Sequence, residues 1–350
     1  MDFEGLKEQI KYNCNVSDAK FWGYYSICGL LLRMRELYRS EKGLEFYEPI
    51  AMEEISPWIG ERDMLWNEME NAELRNIEIG RNSFSPFDVD DINNILADKY
   101  FIYGAGFGRH MKPNFFLAQI DEVRSEDHYD LYIVGKEYVR DIDTVPAMVQ
   151  GRDIFARKQR VKGLLWEKFF EMRSKKYAGL LDYAFSHFDI ARTGEPLKDI
   201  DEKIDAAVEM VTEMIILHEV GEVMEDRGVS GWLELLGTFN GTKEEFILRA
   251  VKDVLADCSD HGPLHSIIKN RDEGMLGFYA TLLTGLHKIV FPEMMNALQE
   301  FVENKSWDPI EAMKAEGYAR FLRYRETIMD AWSAPDGTEK VRDILSELNR

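Results

Sequence analysis

Apolar positions recur at helical spacing through most of the chain. From Phe3 to Arg39, Phe21, Tyr24, Tyr25, Ile27, Cys28, Leu31, Leu32 and Met34 follow one another at the intervals of a helix face, with Ser17 as the expected N-cap and Asp18 in the first turn. Gly43 is expected to end this unit. A second helix is expected from Ser56 to about Ile79, with Ser56 as cap and Pro57 in the first turn. The pattern changes near Tyr100. Tyr100–Tyr103, Phe115–Val123 and Tyr129–Val134 are rich in aromatic and β-branched residues, and the polar segment Arg124–His128 between the last two predicts a turn. Gly104-Ala-Gly-Phe-Gly108 is expected to connect the first two runs, its glycines supplying positive φ.

From Arg152 onward helical periodicity takes over. Helices are predicted at Arg152–Tyr177, Tyr177–Phe188, Asp199–Arg227, Gly231–Leu236, Lys243–Asp260, Pro263–Asn270, Met275–Lys288, Pro292–Glu303, Asp308–Trp332 and Thr338–Leu348. Breakers separate them at Gly194-Glu-Pro196, Gly228, Gly241, Gly262-Pro263 and Pro335. The fold class expected is mainly α: an N-terminal α+β domain (1–150) with helices and a small antiparallel sheet, and a C-terminal α-helical domain (151–350).

Charge narrows the partners. Residues 1–150 carry 16 Lys+Arg against 28 Asp+Glu, and the whole chain of 350 residues has a net charge of -21. Neither half has the basic footprint of a nucleic-acid binder, and the same charge opposes docking on anionic membranes. The basic stretch Arg152–Lys176 has nine Lys+Arg against three Asp+Glu. It is expected to pair with acidic surface of the same protein or of a second subunit, which allows a homo-oligomer. Three cysteines and an N-terminus without the basic-then-apolar order of a signal peptide fit a reducing cytoplasm. Cys14, in an aromatic-dense segment, is expected to pack in a core rather than act as a nucleophile.

The candidate chemistry lies in two C-terminal segments. Met210–Glu225 (MVTEMIILHEVGEVME) is apolar around His218, Glu219 and Glu222. His218 and Glu222, four residues apart, share one helix face, a spacing by which one helix offers two ligands to one metal. Glu219 takes the place of the general base in the HExxH geometry, although the motif itself is absent. The second segment carries Asp253, Asp257, Asp260, His261 and His265, with Asp253, Asp257 and His261 at successive four-residue steps. His218, Glu222, Asp257, His261 and His265 are the expected ligands of a divalent metal, Zn, Fe or Mn. That site implies a metal-dependent hydrolase acting on a small-molecule substrate. The alternative is a non-enzymatic helical binding or scaffold protein with a buried polar network. The metal reading requires His218 and Glu222 to face His261 or His265 across a shared pocket.

Cys14–Tyr38 (CNVSDAKFWGYYSICGLLLRMRELY), Trp58-Ile-Gly-Glu-Arg62 and HEVGE (218–222) together resemble an uncharacterised family of bacterial proteins. The resemblance implies a two-part protein and carries no catalytic residue across.

Overall fold

A computed structural model describes residues 2–96, 100–176, 179–227, 229–283 and 285–348. Tyr177 and Gly228, expected as a helix end and a breaker, lie outside them. The chain forms two compact units, residues 1–126 with 130–166, and residues 127–129 with 167–350. The fold class is the expected one: helices and sheet in the N-terminal portion, helices alone in the C-terminal portion. Among the described residues no helix is long and apolar enough to cross a membrane.

The first unit contains α1 (Phe3–Phe21), α2 (Ile27–Lys42), α3 (Met52–Met69), the hairpin β1 (Ile77–Ile79) and β2 (Asn82–Phe84), α4 (Val89–Leu96), β3 (Phe101–Phe107), β4 (Pro113–Ser125), β5 (Asp130–Arg140), β6 (Ala147–Gln150) and β7 (Asp153–Arg157). The larger sheet has the order β3-β4-β5-β7-β6, antiparallel except for β5 beside β7. Leu6, Ile10 and Cys14 on α1 join its apolar face.

Ser17 and Asp18 do not start a helix; they lie buried inside α1. The polar run there is satisfied by its neighbours. Asn13 exchanges two hydrogen bonds with the Arg75 backbone, at 2.8 and 2.9 Å, and Asn15 accepts from Arg62 at 2.7 Å. Ser17 donates to the Pro113 carbonyl. Ser26 is the real cap of the following helix, accepting from the Gly29 N–H at 3.1 Å, and Gly43 ends it at φ 65° as expected. α3 starts a turn earlier than Ser56, with Pro57 inside it, and ends at Met69; residues 77–79, expected as helix, are strand.

Gly104 and Gly106 are strand residues with ordinary φ, not a connecting loop. A Cβ on Gly104 would meet the Phe116 ring at 2.0 Å, so the missing side chain makes room for a core aromatic. The turn is made instead by Gly108–Lys112, where His110 and Met111 take positive φ. Residues 153–157 also depart from expectation. They form β7, an inner strand with Ile154, Phe155 and Ala156 fully buried. A short apolar run covered on both faces has no alternation to distinguish it from helix.

Part of the basic stretch is paired within the chain. Arg152 pairs with Asp130 at 3.0 Å; Arg157 and Arg160 grip the buried Glu137 at 2.6 and 3.0 Å; Lys168 pairs with Glu171 at 3.0 Å. A second buried charge group fastens α1 to the sheet. Lys112 Nζ lies 3.1 Å from Asp18 and 3.5 Å from Asp141. Asp18 accepts from the Ile142 N–H and Asp141 from the Phe115 N–H. Burial, with Asp141 adding to it, pushes the Asp18 carboxyl up to about 7 against the pull of Lys112.

The second unit is helical. α5 (Lys158–Ser174) leads into it, followed by α6 (Leu180–Ser186), α7 (Leu197–Asp226), α8 (Trp232–Thr238), α9 (Lys243–Cys258), α10 (Pro263–Asn270), α11 (Glu273–Leu282), α12 (Gly285–Val290), α13 (Pro292–Asn304), α14 (Asp308–Trp332) and α15 (Gly337–Leu348). The helix expected from Met275 to Lys288 is two, α11 and α12. α7 and α9 meet at Gly221, where a Cβ would lie 2.6 Å from the Ala256 carbonyl oxygen. Only a residue without a side chain lets the two backbones come so close.

Two outcomes follow. Gly221→Ala forces α7 away from α9 and costs about 1–3 kcal/mol of overpacking strain, measured by urea unfolding. Lys112→Met leaves Asp18 and Asp141 buried without their cation and costs about 3–5 kcal/mol at neutral pH. In that variant the Asp18 carboxyl holds its proton more tightly folded than unfolded. Stability is therefore fullest below the ordinary carboxylate range and is lost as pH rises through the raised folded value. The deficit against the native chain is expected to grow from mildly acidic to mildly alkaline buffer; an equal deficit at both would contradict the buried ion group.

Candidate metal centre

The Gly221 crossing brings one face of α7 onto one face of α9. His218 and Glu222 stand a turn apart on the first, and Asp253 and Asp257 a turn apart on the second. His218 Nδ1 lies 2.7 Å from Asp257 Oδ1. Because the partner is a carboxylate, Nδ1 carries the proton and donates it. Tyr279 of α11 donates its hydroxyl hydrogen to the other oxygen, Asp257 Oδ2, at 2.9 Å. With both oxygens of Asp257 engaged, the ring is fixed and Nε2 is turned toward Glu222, whose Oε1 is 3.7 Å away. A carboxylate that holds the far nitrogen is the usual support of a metal-binding imidazole.

His218, Glu222 and Asp253 each offer one donor atom, and the three lie within 4.8 Å of one another. His218 retains 27% of its side-chain exposure, so the group is reachable from solvent. Lys252 closes one edge, with Nζ 2.9 Å from Glu222 and 3.0 Å from Asp226. His287 of α12 is 3.5 Å from the second oxygen of Asp253.

The charges do not balance. His218 and Lys252 face Glu219, Glu222, Asp253 and Asp257. Burial opposes the charge on His218, but Asp257, then Glu222 and Glu219, outweigh it and hold the imidazolium well above the usual histidine range. Burial pushes Glu219 up to about 7, with Glu222 adding to it. Burial likewise pushes Asp253 up to about 7, against His218. Burial resists ionisation of Glu222 too, yet Lys252 and His218 keep it below the ordinary carboxylate range. For both groups burial is the largest cause, with the neighbouring Glu222 adding to it.

The remaining expected ligands are elsewhere. α9 stops at Cys258, so the four-residue step from Asp257 does not reach His261. The Ser259 hydroxyl donates to the Ala256 carbonyl at 2.9 Å and accepts from the His261 N–H at 3.2 Å, turning the chain. His261 is exposed. His265 sits 3.5 Å from the exposed Asp260, away from the cluster. Asp257, expected as a ligand, has its two oxygens on His218 and Tyr279. Asp253 is the residue whose donor atom lies close to those of His218 and Glu222; its four-residue step back from Asp257 was the available signal. Tyr279 had no sequence signal, since nothing in its own helix marks it as the partner of Asp257. Cys14 is buried, and burial with Asp141 and Asp18 pushes its thiol well above the usual range, as core packing requires.

Comparison with curated proteins and with solved structures finds no match. Two family models match: the N-terminal domain of a family of unknown function (DUF6866) over residues 5–157, and the C-terminal domain of the same family over residues 162–348. With its two parts matched in order and nearly end to end, the chain belongs to the DUF6866 family.

Proposed function

We propose that the C-terminal unit binds one divalent metal ion, Zn, Fe or Mn, through His218, Glu222 and Asp253, and uses it to hydrolyse a small-molecule substrate. The observation that carries this reading is the convergence of one imidazole nitrogen and two carboxylates within 4.8 Å, the other nitrogen of that same imidazole being held by Asp257. The excess of carboxylates over cations favours a divalent ion, which would displace the protons held there. One nitrogen and two oxygens suit Zn, Fe or Mn, and leave coordination positions open for water or substrate. Such an ion supplies Lewis acidity. Glu219, next to His218 on α7, is the carboxylate that would act as general base toward water activated there.

Lys252 favours a second reading. Its ammonium already bridges Glu222 and Asp226, so the cluster also makes sense as a closed polar network in a non-enzymatic binding or scaffold protein.

Elemental analysis and calorimetry separate the two. The native chain is expected to take up one equivalent of Zn, Fe or Mn, more weakly as pH falls and the ligands take up protons. His218→Ala and Asp253→Asn each lower affinity by about 100-fold or more, Asp257→Asn by about 10- to 100-fold, and His261→Ala and His265→Ala leave it unchanged. If no stoichiometric ion binds after loading with all three metals, the metal reading is wrong and the polar network stands.

A further inference from the structure

We infer that α2 is the self-association face of this chain, pairing with the same helix of a second copy. Ile27 is 80% exposed, Leu31 47% and Leu32 48%; Trp22 and Tyr24, just before the helix, are 41% and 61% exposed. Ile27 and Leu31 stand one turn apart, as do Cys28 and Leu32, so the four make two adjacent apolar rows. The helix does not need this face to fold. Its other side already buries Met34, Leu37 and Tyr38 against Ile55 and Trp58.

The five large side chains leave on the order of 600 Å² of apolar surface open, the upper end of what a monomer carries. A stable interface takes roughly 800 Å² from each partner. Gly23 and Ser26, both exposed, and the half-buried Arg35 border the patch and extend it.

Charge selects the occupant. From Ala19 to Arg35 the sequence has no Asp or Glu, in a chain that carries 64 of them. Two copies, each of net charge -21, repel least through a contact free of carboxylates, and the cations of this stretch, Lys20, Arg33 and Arg35, run against the acidic excess of the chain. The patch is also complementary to itself, as a two-fold contact requires. An antiparallel pair lays the apolar rows together and brings Arg35, near the middle of one helix, toward the aromatic N-terminal end of the other, a cation–π arrangement. The same side chain chemistry is already used within the chain, where the Arg33 guanidinium lies 4.6 Å from the Tyr25 ring.

Light scattering of the full chain at micromolar concentration tests this. The native chain is expected to have the mass of a dimer. Leu31→Asp is expected to raise the dissociation constant by about tenfold or more and leave a folded monomer whose circular-dichroism spectrum is unchanged, since the side chain is about half exposed. A short bismaleimide is expected to join two native chains through Cys28, which is exposed whereas Cys14 and Cys258 are buried, and to fail with Cys28→Ser. A monomeric native chain overturns the proposal, as does a dimer that survives Leu31→Asp. A monomer that co-sediments with phosphatidylcholine vesicles overturns it too, by assigning the face to lipid.

Discussion

The close crossing of α7 and α9 at Gly221 is the constraint on which the candidate centre depends. Helices packed through ordinary side chains keep their axes 8–10 Å apart. Here the Ala256 carbonyl occupies the space where a Cβ would stand. That approach lets Asp257 reach His218 Nδ1 at 2.7 Å, and it sets Asp253 beside Glu222 on the same seam. One glycine thus couples helix packing to a charge cluster that helix packing alone disfavours. Burial raises the proton affinity of Glu219 and Asp253, and the neighbouring Glu222 adds to it.

The two units handle buried charge differently. In the first, Lys112 sits between Asp18 and Asp141, and Glu137 is gripped by Arg157 and Arg160, while backbone N–H groups engage the Asp18 and Asp141 carboxylates. Those groups fasten α1 and β7 in place. In the second, carboxylates outnumber cations and a histidine nitrogen faces them across 3.7 Å. What sets the second group apart is that an imidazole nitrogen and two carboxylates from two different helices offer donor atoms within 4.8 Å of one another.

Much of this was legible in the chain because the second unit is amphipathic helix punctuated by breakers. The bounds of α10 and α14 match the expected ones, and those of α7, α9, α13 and α15 differ by two residues or fewer. His218 and Glu222 were legible because a four-residue step on one helix is local. The other side of the centre was not, because it depends on contacts between helices. The same spacing that marks Asp253 and Asp257 also marks His261, and only the Ser259 turn removes the last. Tyr279 reaches Asp257 from a helix with no pattern of its own. In the first unit, errors came from burial on all sides. Ser17 and Asp18 look like a helix start because Ser and Asp favour N-caps over helix interiors, yet each is satisfied by a neighbour distant in sequence. Gly104 looks like a turn but makes room for Phe116, and β7 lacks alternation because both of its faces are covered.

The coordination shell itself is the most direct measure of the account. X-ray absorption of the zinc-loaded chain is predicted to show a single imidazole nitrogen per ion, with oxygen neighbours at about 2.0–2.2 Å and no sulfur. That shell is His218 with Glu222 and Asp253. Two or more imidazoles, or a sulfur neighbour, would contradict it.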